Sequence, residues 1–233
     1  MNKNITTLIA LLLLSSCGGS GGGGSNQTLI PLSSSDIRTY KQGDSFTVSM
    51  VFTDTGTKQT ATGDITLTVG PNVTNPSGIS CFKVIYSGTL TGPAGTVPIT
   101  TTSYYYQDIN NNVYDCGESD NGTDVFVTDT AITPNGLALN EKSPMALGNI
   151  ISGITNYTDG SWNDCTSNIV GKENVSTTIG YYEAYKINYS CSYSNGSTLV
   201  GTEWVVPDLF TIKEVDNYDT YSISYTLKSY FLN

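Results

Sequence analysis

Four stretches of this chain alternate apolar and polar residues at every second position. Phe46, Val48, Met50 and Phe52 interleave with Ser45, Thr47, Ser49 and Thr53, with Val51 breaking the polar face. Ile65, Leu67 and Val69 interleave with Thr66 and Thr68. Tyr185, Ile187, Tyr189 and Tyr193 do so with Lys186, Asn188, Ser190 and Ser192, and Tyr221, Ile223, Tyr225 and Leu227 with Ser222, Ser224, Thr226 and Lys228. Side chains of a strand point to opposite faces in turn, so this period builds sheets with one apolar and one hydroxyl-rich face. Turn signals separate the runs: Asp54-Thr-Gly56, Gly92-Pro-Ala-Gly95, Asn110-Asn-Asn112, Asn121-Gly122, Asn135-Gly136, Asp159-Gly160 and Asn195-Gly196. Residues 137–151 could hold a short helix, but Pro144 and Gly148 interrupt it, which leaves loop or strand. The expected fold is all-β: an antiparallel meander forming a curved sheet, half-barrel or barrel, with edges removed by closure.

The two halves resemble each other weakly. Phe82-Lys-Val-Ile-Tyr-Ser87 matches Tyr185-Lys-Ile-Asn-Tyr-Ser190, Val69-Gly70 matches Val170-Gly171, and Tyr104-Tyr-Tyr-Gln-Asp-Ile109 matches Trp204-Val-Val-Pro-Asp-Leu209. The offset stays near one hundred residues, which suggests halves at about 36–135 and 136–233 within a single β domain spanning 36–233.

The N-terminus carries a different signal. One positive charge in Met1-Asn2-Lys3-Asn4 precedes an apolar run from Ile5 to Leu14, too short to span a membrane as a mature helix. Leu14-Ser15-Ser16-Cys17 then resembles the lipobox of bacterial lipoproteins. The resemblance implies a signal peptide at 1–16, removed before Cys17, and a diacylated Cys17 thiol whose new amine can be acylated as well. Gly18, where enterobacterial inner-membrane retention uses Asp, implies the outer membrane. Residues 17–35 are expected to form the lipidated Cys and a Gly/Ser tether with a reach of about 25 Å. Cleavage removes Lys3 and leaves nine basic against twenty acidic residues, net −11, so lipid rather than charge would hold the domain at an anionic surface.

Towards the C-terminus, Val175, Gly180, Tyr182, Ala184 and Lys186, followed by Thr202, Trp204, Pro207, Ile212 and Lys213, resemble a pattern of uncharacterised secreted proteobacterial proteins. That resemblance covers about sixty residues. It implies a curved antiparallel sheet or half-barrel and no established activity.

The chain contains no His, which excludes Ser-His and Cys-His nucleophile systems and His-ligated metals. A net charge of −10 argues against nucleic acid. After Cys17, Cys81, Cys116, Cys165 and Cys191 remain, an even number for an oxidising compartment. Pairing within halves, 81–116 and 165–191, is favoured because Cys165 and Cys191 fall on consecutive strands; free buried thiols are the alternative. Asp108-Ile-Asn110-Asn-Asn112 reads as a hairpin turn and not as a calcium loop, because Val113 and Ser119 stand where such a loop needs Gly and Glu. Asp115, Glu118, Asp120 and Asp124 read as a solvated acidic loop.

Glu183 and Glu203 are the strand-borne acids a hydrolase could use, but Glu203 falls on the outer phase if Trp204 points inward. Sixteen Tyr form the conspicuous excess, and Tyr104, Tyr185, Tyr189 and Trp204 mark a possible ligand face, where aromatic rings could stack on sugars or line an apolar cavity. The sequence therefore reads as a lipid-anchored envelope protein with a non-enzymatic binding or assembly role. No catalytic or metal-ligating residue and no cofactor is assigned. The expected partners are the membrane, through the lipid, and an envelope protein, lipid or glycan. A carrier of lipid or acyl groups in an apolar β cavity and a carboxylate-dependent hydrolase are the alternatives.

Overall fold

The computed structural model describes residues 28–120, 122–128 and 138–233. The signal segment 1–16, Cys17, most of the tether and the turn signals at Asn121 and Asn135-Gly136 lie outside the described residues. Fourteen strands form one sheet: β1 (Leu29–Ile30), β2 (Ser45–Asp54), β3 (Thr60–Thr74), β4 (Ser80–Gly92), β5 (Gly95–Gln107), β6 (Val113–Asp120), β7 (Thr123–Phe126), β8 (Ala138–Glu141), β9 (Ile150–Asn156), β10 (Trp162–Ser176), β11 (Tyr181–Tyr193), β12 (Thr198–Val205), β13 (Thr211–Tyr218) and β14 (Tyr221–Phe231). No helix occurs among the described residues. The four alternating stretches of the sequence are β2, β3, β11 and β14.

The sheet runs β7-β6-β5-β4-β3-β2-β14-β13-β12-β11-β10-β9, all antiparallel, with β8 added on β6 and the short β1 lying parallel to β11. Each half is thus a six-strand meander, and the second follows the first around the sheet in the same sense. The strand irregularities repeat too. The ladder shifts between Val69 and Asn72 in one half and between Ile169 and Gly171 in the other; it shifts again between Tyr104 and Tyr105, and between Trp204 and Val205. Bulges increase local twist and bend a strand, so matched bulges curve the two halves alike.

That curvature brings the two ends of the sheet together. Val127, just past β7, bridges Tyr157, just past β9. Around it, Thr128 N donates to Asn156 O at 2.8 Å and Thr158 N to Phe126 O at 2.9 Å. The seam is short compared with the β2–β14 junction that joins the halves elsewhere. The result is a barrel closed at one point and open along most of that seam.

The inward phase of β2, β3, β4 and β14 is apolar. Phe46, Val48, Met50, Ile65, Leu67, Ile223 and Leu227 are all at most 3% exposed and pack as one cluster; full burial of such side chains contributes about 1.5–3 kcal/mol each. At Gly63 a side chain would run into the Thr89 carbonyl of β4, so only glycine permits that close crossing.

One end of the barrel is plugged by the segment leading into β2. Leu29 and Ile30 pair with Tyr181 and Tyr182, Ser35 O accepts from Met145 N, and Arg38 N donates to Pro207 O. Tyr40 packs near Phe82 and Phe210, and Phe210 stacks on Phe46 at 4.8 Å. The buried Asp44 fixes this plug by accepting from Arg38, Lys41 N and Asn233 N. Residues 29–35, assigned to the tether by their polar composition, are therefore docked on the barrel. The domain starts before Asp36.

Cys165 and Cys191 are joined directly across the β10–β11 ladder, with Cα atoms 4.1 Å apart. Cys81 and Cys116 are joined from β4 to β6 over the intervening β5, with Cα atoms 6.4 Å apart. Closing a loop of 26 residues stabilises by about 3.5 kcal/mol in the chain-entropy picture. Cys165→Ala with Cys191→Ala should lower unfolding stability by roughly that amount in urea; a change near zero would show that the link constrains nothing.

Candidate functional site

The inward face is not apolar all round. Where β6, β8, β12 and β13 contribute, it carries carboxyl groups and tyrosines, and this side does not pack shut. A cavity of about 700 Å³ remains inside the barrel. Phe46, Val48, Leu67, Val69 and Val84 form its apolar wall. Asp115, Glu141, Glu203, Glu214 and Asp216 contribute to its polar wall, with Tyr40, Tyr86, Tyr105, Tyr189, Tyr193, Tyr218 and Tyr225 between. No Lys or Arg lines it. Tyr86 and Tyr189 occupy matching places in the two sequence repeats, and both face this space. All six residues from Ile150 to Thr155 line the cavity, although neighbours on a strand face opposite ways. β9 is therefore the rim of an opening at the seam. Ile150 and Ile154 stand exposed along it.

Three carboxyl groups sit on adjacent strands. Glu203 on β12 lies directly opposite Glu214 on β13, and Gly201 opposite Asp216. The Tyr189 hydroxyl reaches across from β11 and contacts both Glu214 Oε1 and Asp216 Oδ1. It passes over Gly201, where any Cβ would collide with the Tyr189 ring and with Asp216 Oδ1. One hydroxyl has one proton to share between the two carboxyl groups, which favours a further proton on the pair. Thr211 Oγ1 donates to Glu203 Oε2 at 3.0 Å. Elsewhere on the wall, Asp115 accepts from Tyr157 Oη at 2.9 Å and Gly117 N at 3.1 Å. Glu141 Oε2 is buried with no hydrogen-bond partner, as is Asn163 Oδ1.

Burial pushes these five acids upwards: Asp115 to about 6, Glu141 to about 7 and Asp216 to about 9. Burial also raises Glu203 and Glu214, and the neighbouring charges of Glu214 and Glu141 raise Glu203 further. Asp44 moves the other way: burial alone would lift it, but the hydrogen bonds from Arg38, Lys41 N and Asn233 N hold it below the usual range. The pH profile follows from these signs. A carboxyl raised in the fold keeps a proton that the unfolded chain releases, so its ionisation costs stability as pH rises from about 4 through the folded values. Asp44 contributes stability that is lost as pH falls below its ordinary range. The melting temperature should peak near pH 4 and fall by at least ~4 °C by pH 9. Calorimetry across pH 3–9 checks this; a maximum above pH 7 would contradict the burial of these acids.

Of the residues singled out from the sequence, Tyr189 lines the cavity. Tyr185 lies on the same inward phase but is packed with Ile37, Val113, Met145 and Ile187, and Lys172 sits over its ring at 4.9 Å. Trp204 is on the opposite face, between Lys186 and Lys213 at 5.6 and 4.7 Å, and its Nε1 donates to Glu173 at 2.8 Å. Tyr104 also faces away from the lumen. It stacks on Phe126, packs beside the Cys81–Cys116 link and donates to Asp124 at 2.8 Å. The expectation that Glu203 faces solvent is overturned: with Trp204 outward, the strand period turns Glu203 inward. The acidic loop is likewise split, since Asp115 points into the cavity while Asp124 holds Tyr104. The Asp108 turn is the expected hairpin, with Asp108 Oδ1 accepting from Asn110 N and Asn112 N.

The sequence matches no protein-family model and no curated protein. Among solved structures the chain is similar to a protein of Bacteroides fragilis inferred to be exported and described as having a YmcC-like fold, at 15% identity over 84% of this chain and 99% of that one, with a TM-score of 0.46. It is also similar to an inferred lipoprotein of Parabacteroides distasonis, at 13% identity over 85% of this chain and 98% of that one, with a TM-score of 0.38.

Proposed function

We propose that this chain is a lipid-anchored protein of the bacterial outer membrane that holds a small ligand inside its barrel. The cavity carries the reading: a space of about 700 Å³, within the range of small-molecule sites, lined by polar groups that lack partners. Leu14-Ser15-Ser16-Cys17 supports the anchor. The absence of Lys and Arg from the lining argues against a fatty-acid carrier, because a ligand carboxylate would add charge to a wall already rich in acids.

One observation favours a second reading. Glu203 and Glu214 converge on one wall, as a carboxylate hydrolase would need. They are cross-strand neighbours on the same wall, however, and both are shifted towards the protonated form, which leaves no ready base. Binding accounts for the site with fewer assumptions.

Native mass spectrometry of the protein isolated gently from its envelope tests the proposal. A bound small molecule should appear in the wild type and vanish when Ser167→Trp fills the lumen beside Tyr189. A bare wild-type mass, or an adduct that survives the substitution, would contradict it.

A further inference from the structure

The charge balance of the lumen says more about the ligand, given the binding reading above. The three ion pairs among the described residues, Arg38–Asp44, Lys186–Glu173 and Lys228–Asp64, all lie away from the cavity-lining acids. Among the described residues, Asp115, Glu203, Glu214 and Asp216 meet hydroxyl or backbone donors, and neither they nor Glu141 form an ion pair. A protein interior rarely keeps such groups without a counter-charge, and these five have none among the described residues.

The acids also occupy two walls. Asp115 and Glu141 come from β6 and β8; Glu203, Glu214 and Asp216 come from β12 and β13, the counterpart strands of the second half. Glu141 and Glu203 line the same cavity from β8 and β12, and the charge of Glu141 raises Glu203. Glu141 Oε2 has no donor at all. Tyrosine rings between the walls offer faces that attract cations. No cluster of three or more His, Cys, Asp or Glu among the described residues is arranged to hold a metal ion.

We infer that the lumen takes an organic cation with two or more ammonium groups, an oligoamine, one end held by Glu203, Glu214 and Asp216 and the other by Glu141. Each ammonium supplies the donors that Glu141 and the Tyr189 pair lack. Binding to carboxyl groups that are protonated in the empty protein releases protons.

Calorimetric titration of the full lipidated chain in non-ionic detergent at pH 8 tests this, with spermidine as probe and hexane-1,6-diol and laurate as neutral and anionic comparators. Spermidine should bind, with proton release that shows as a dependence of the heat on the buffer's ionisation enthalpy. Glu203→Gln, Glu214→Gln and Asp216→Asn together should weaken it about a hundredfold or more, since losing each buried charge contact costs at least about tenfold. Gly201→Ala, which changes no charge but displaces Tyr189, should weaken it measurably. If spermidine binds the triple variant as tightly as wild type, it is held by surface charge and the inference falls. If spermidine fails while the envelope-isolated protein carries a neutral or anionic molecule, the amine class is wrong and lumen binding stands. If no probe binds and no adduct is found, both readings fall.

Discussion

Glu203→Gln, Glu214→Gln and Asp216→Asn together are expected to stabilise the empty protein at pH 8 by about 2–4 kcal/mol, or roughly 5–10 °C in melting temperature. The physical reason is a proton. At pH 8 an unfolded chain has ionised all three carboxyl groups. The folded lumen takes a proton back on Asp216, whose value lies near 9, and disfavours charge on Glu203 and Glu214. Amides keep nearly the same shape and can still bond to Tyr189 and Thr211, but they carry no such cost. At pH 5 the unfolded chain also holds part of its protons, so the gain should shrink to a small fraction. Binding sites are commonly kept at the expense of stability in this way. Thermal scans at the two pH values decide it. Equal destabilisation at both would mean that the acids support the fold, and the lumen would lose its status as a binding site.

Cys17→Ser is expected to have the largest effect on location. It should move the protein almost completely from the membrane to the soluble fraction. A single acyl chain gives only marginal membrane binding, whereas two or more hold stably, because each buried methylene contributes about 0.8 kcal/mol. The domain is acidic, and no helix among the described residues is long and apolar enough to cross a membrane. Fractionation with and without the substitution measures this, and unchanged membrane association would reject lipidation.

The strands were legible because their residues obey one rule. Over Phe46–Met50 of β2 and Tyr221–Leu227 of β14 every second residue is apolar and the residues between are Ser or Thr, which marks the inward phase despite Val51 and Lys228 beside them. The repeat left only short matches at an offset near one hundred, because equivalent strands share their bulges and not their residues. The two halves twist alike without sharing much sequence.

The polar side of the lumen was hidden for the converse reason. β12 reads Thr-Leu-Val-Gly-Thr-Glu-Trp-Val, with apolar residues on both phases, and Trp204 is the bulkiest. Hydrophobicity alone turns Trp204 inward and Glu203 outward. In the fold, Trp204 is buried on the face away from the lumen, in the cluster with Val175, Tyr182, Ala184 and Ile212 and with the Lys186 and Lys213 ammonium groups over its ring, and the neighbouring Glu203 takes the lumen phase. β13 shows the same inversion, with Glu214 and Asp216 inside and Lys213 outside. The signal that could have revealed it is the pair Gly201 and Tyr189. A glycine inside a strand marks a close approach, here by a tyrosine reaching over it to the acids. Closure at Val127–Tyr157 was not legible at all, because a single bridge between distant segments leaves no periodic trace.

The central claim is that the barrel holds buried, uncompensated carboxyl groups around an open lumen. Site-resolved carbon NMR titration of the Asp and Glu carboxyls in the mature protein measures it most directly. Asp216 should titrate near 9, Glu141 near 7 and Asp115 near 6, with Glu203 and Glu214 displaced upward as well. If all five instead titrate at about 4–5, as solvated carboxyls do, these groups face water and no such lumen exists.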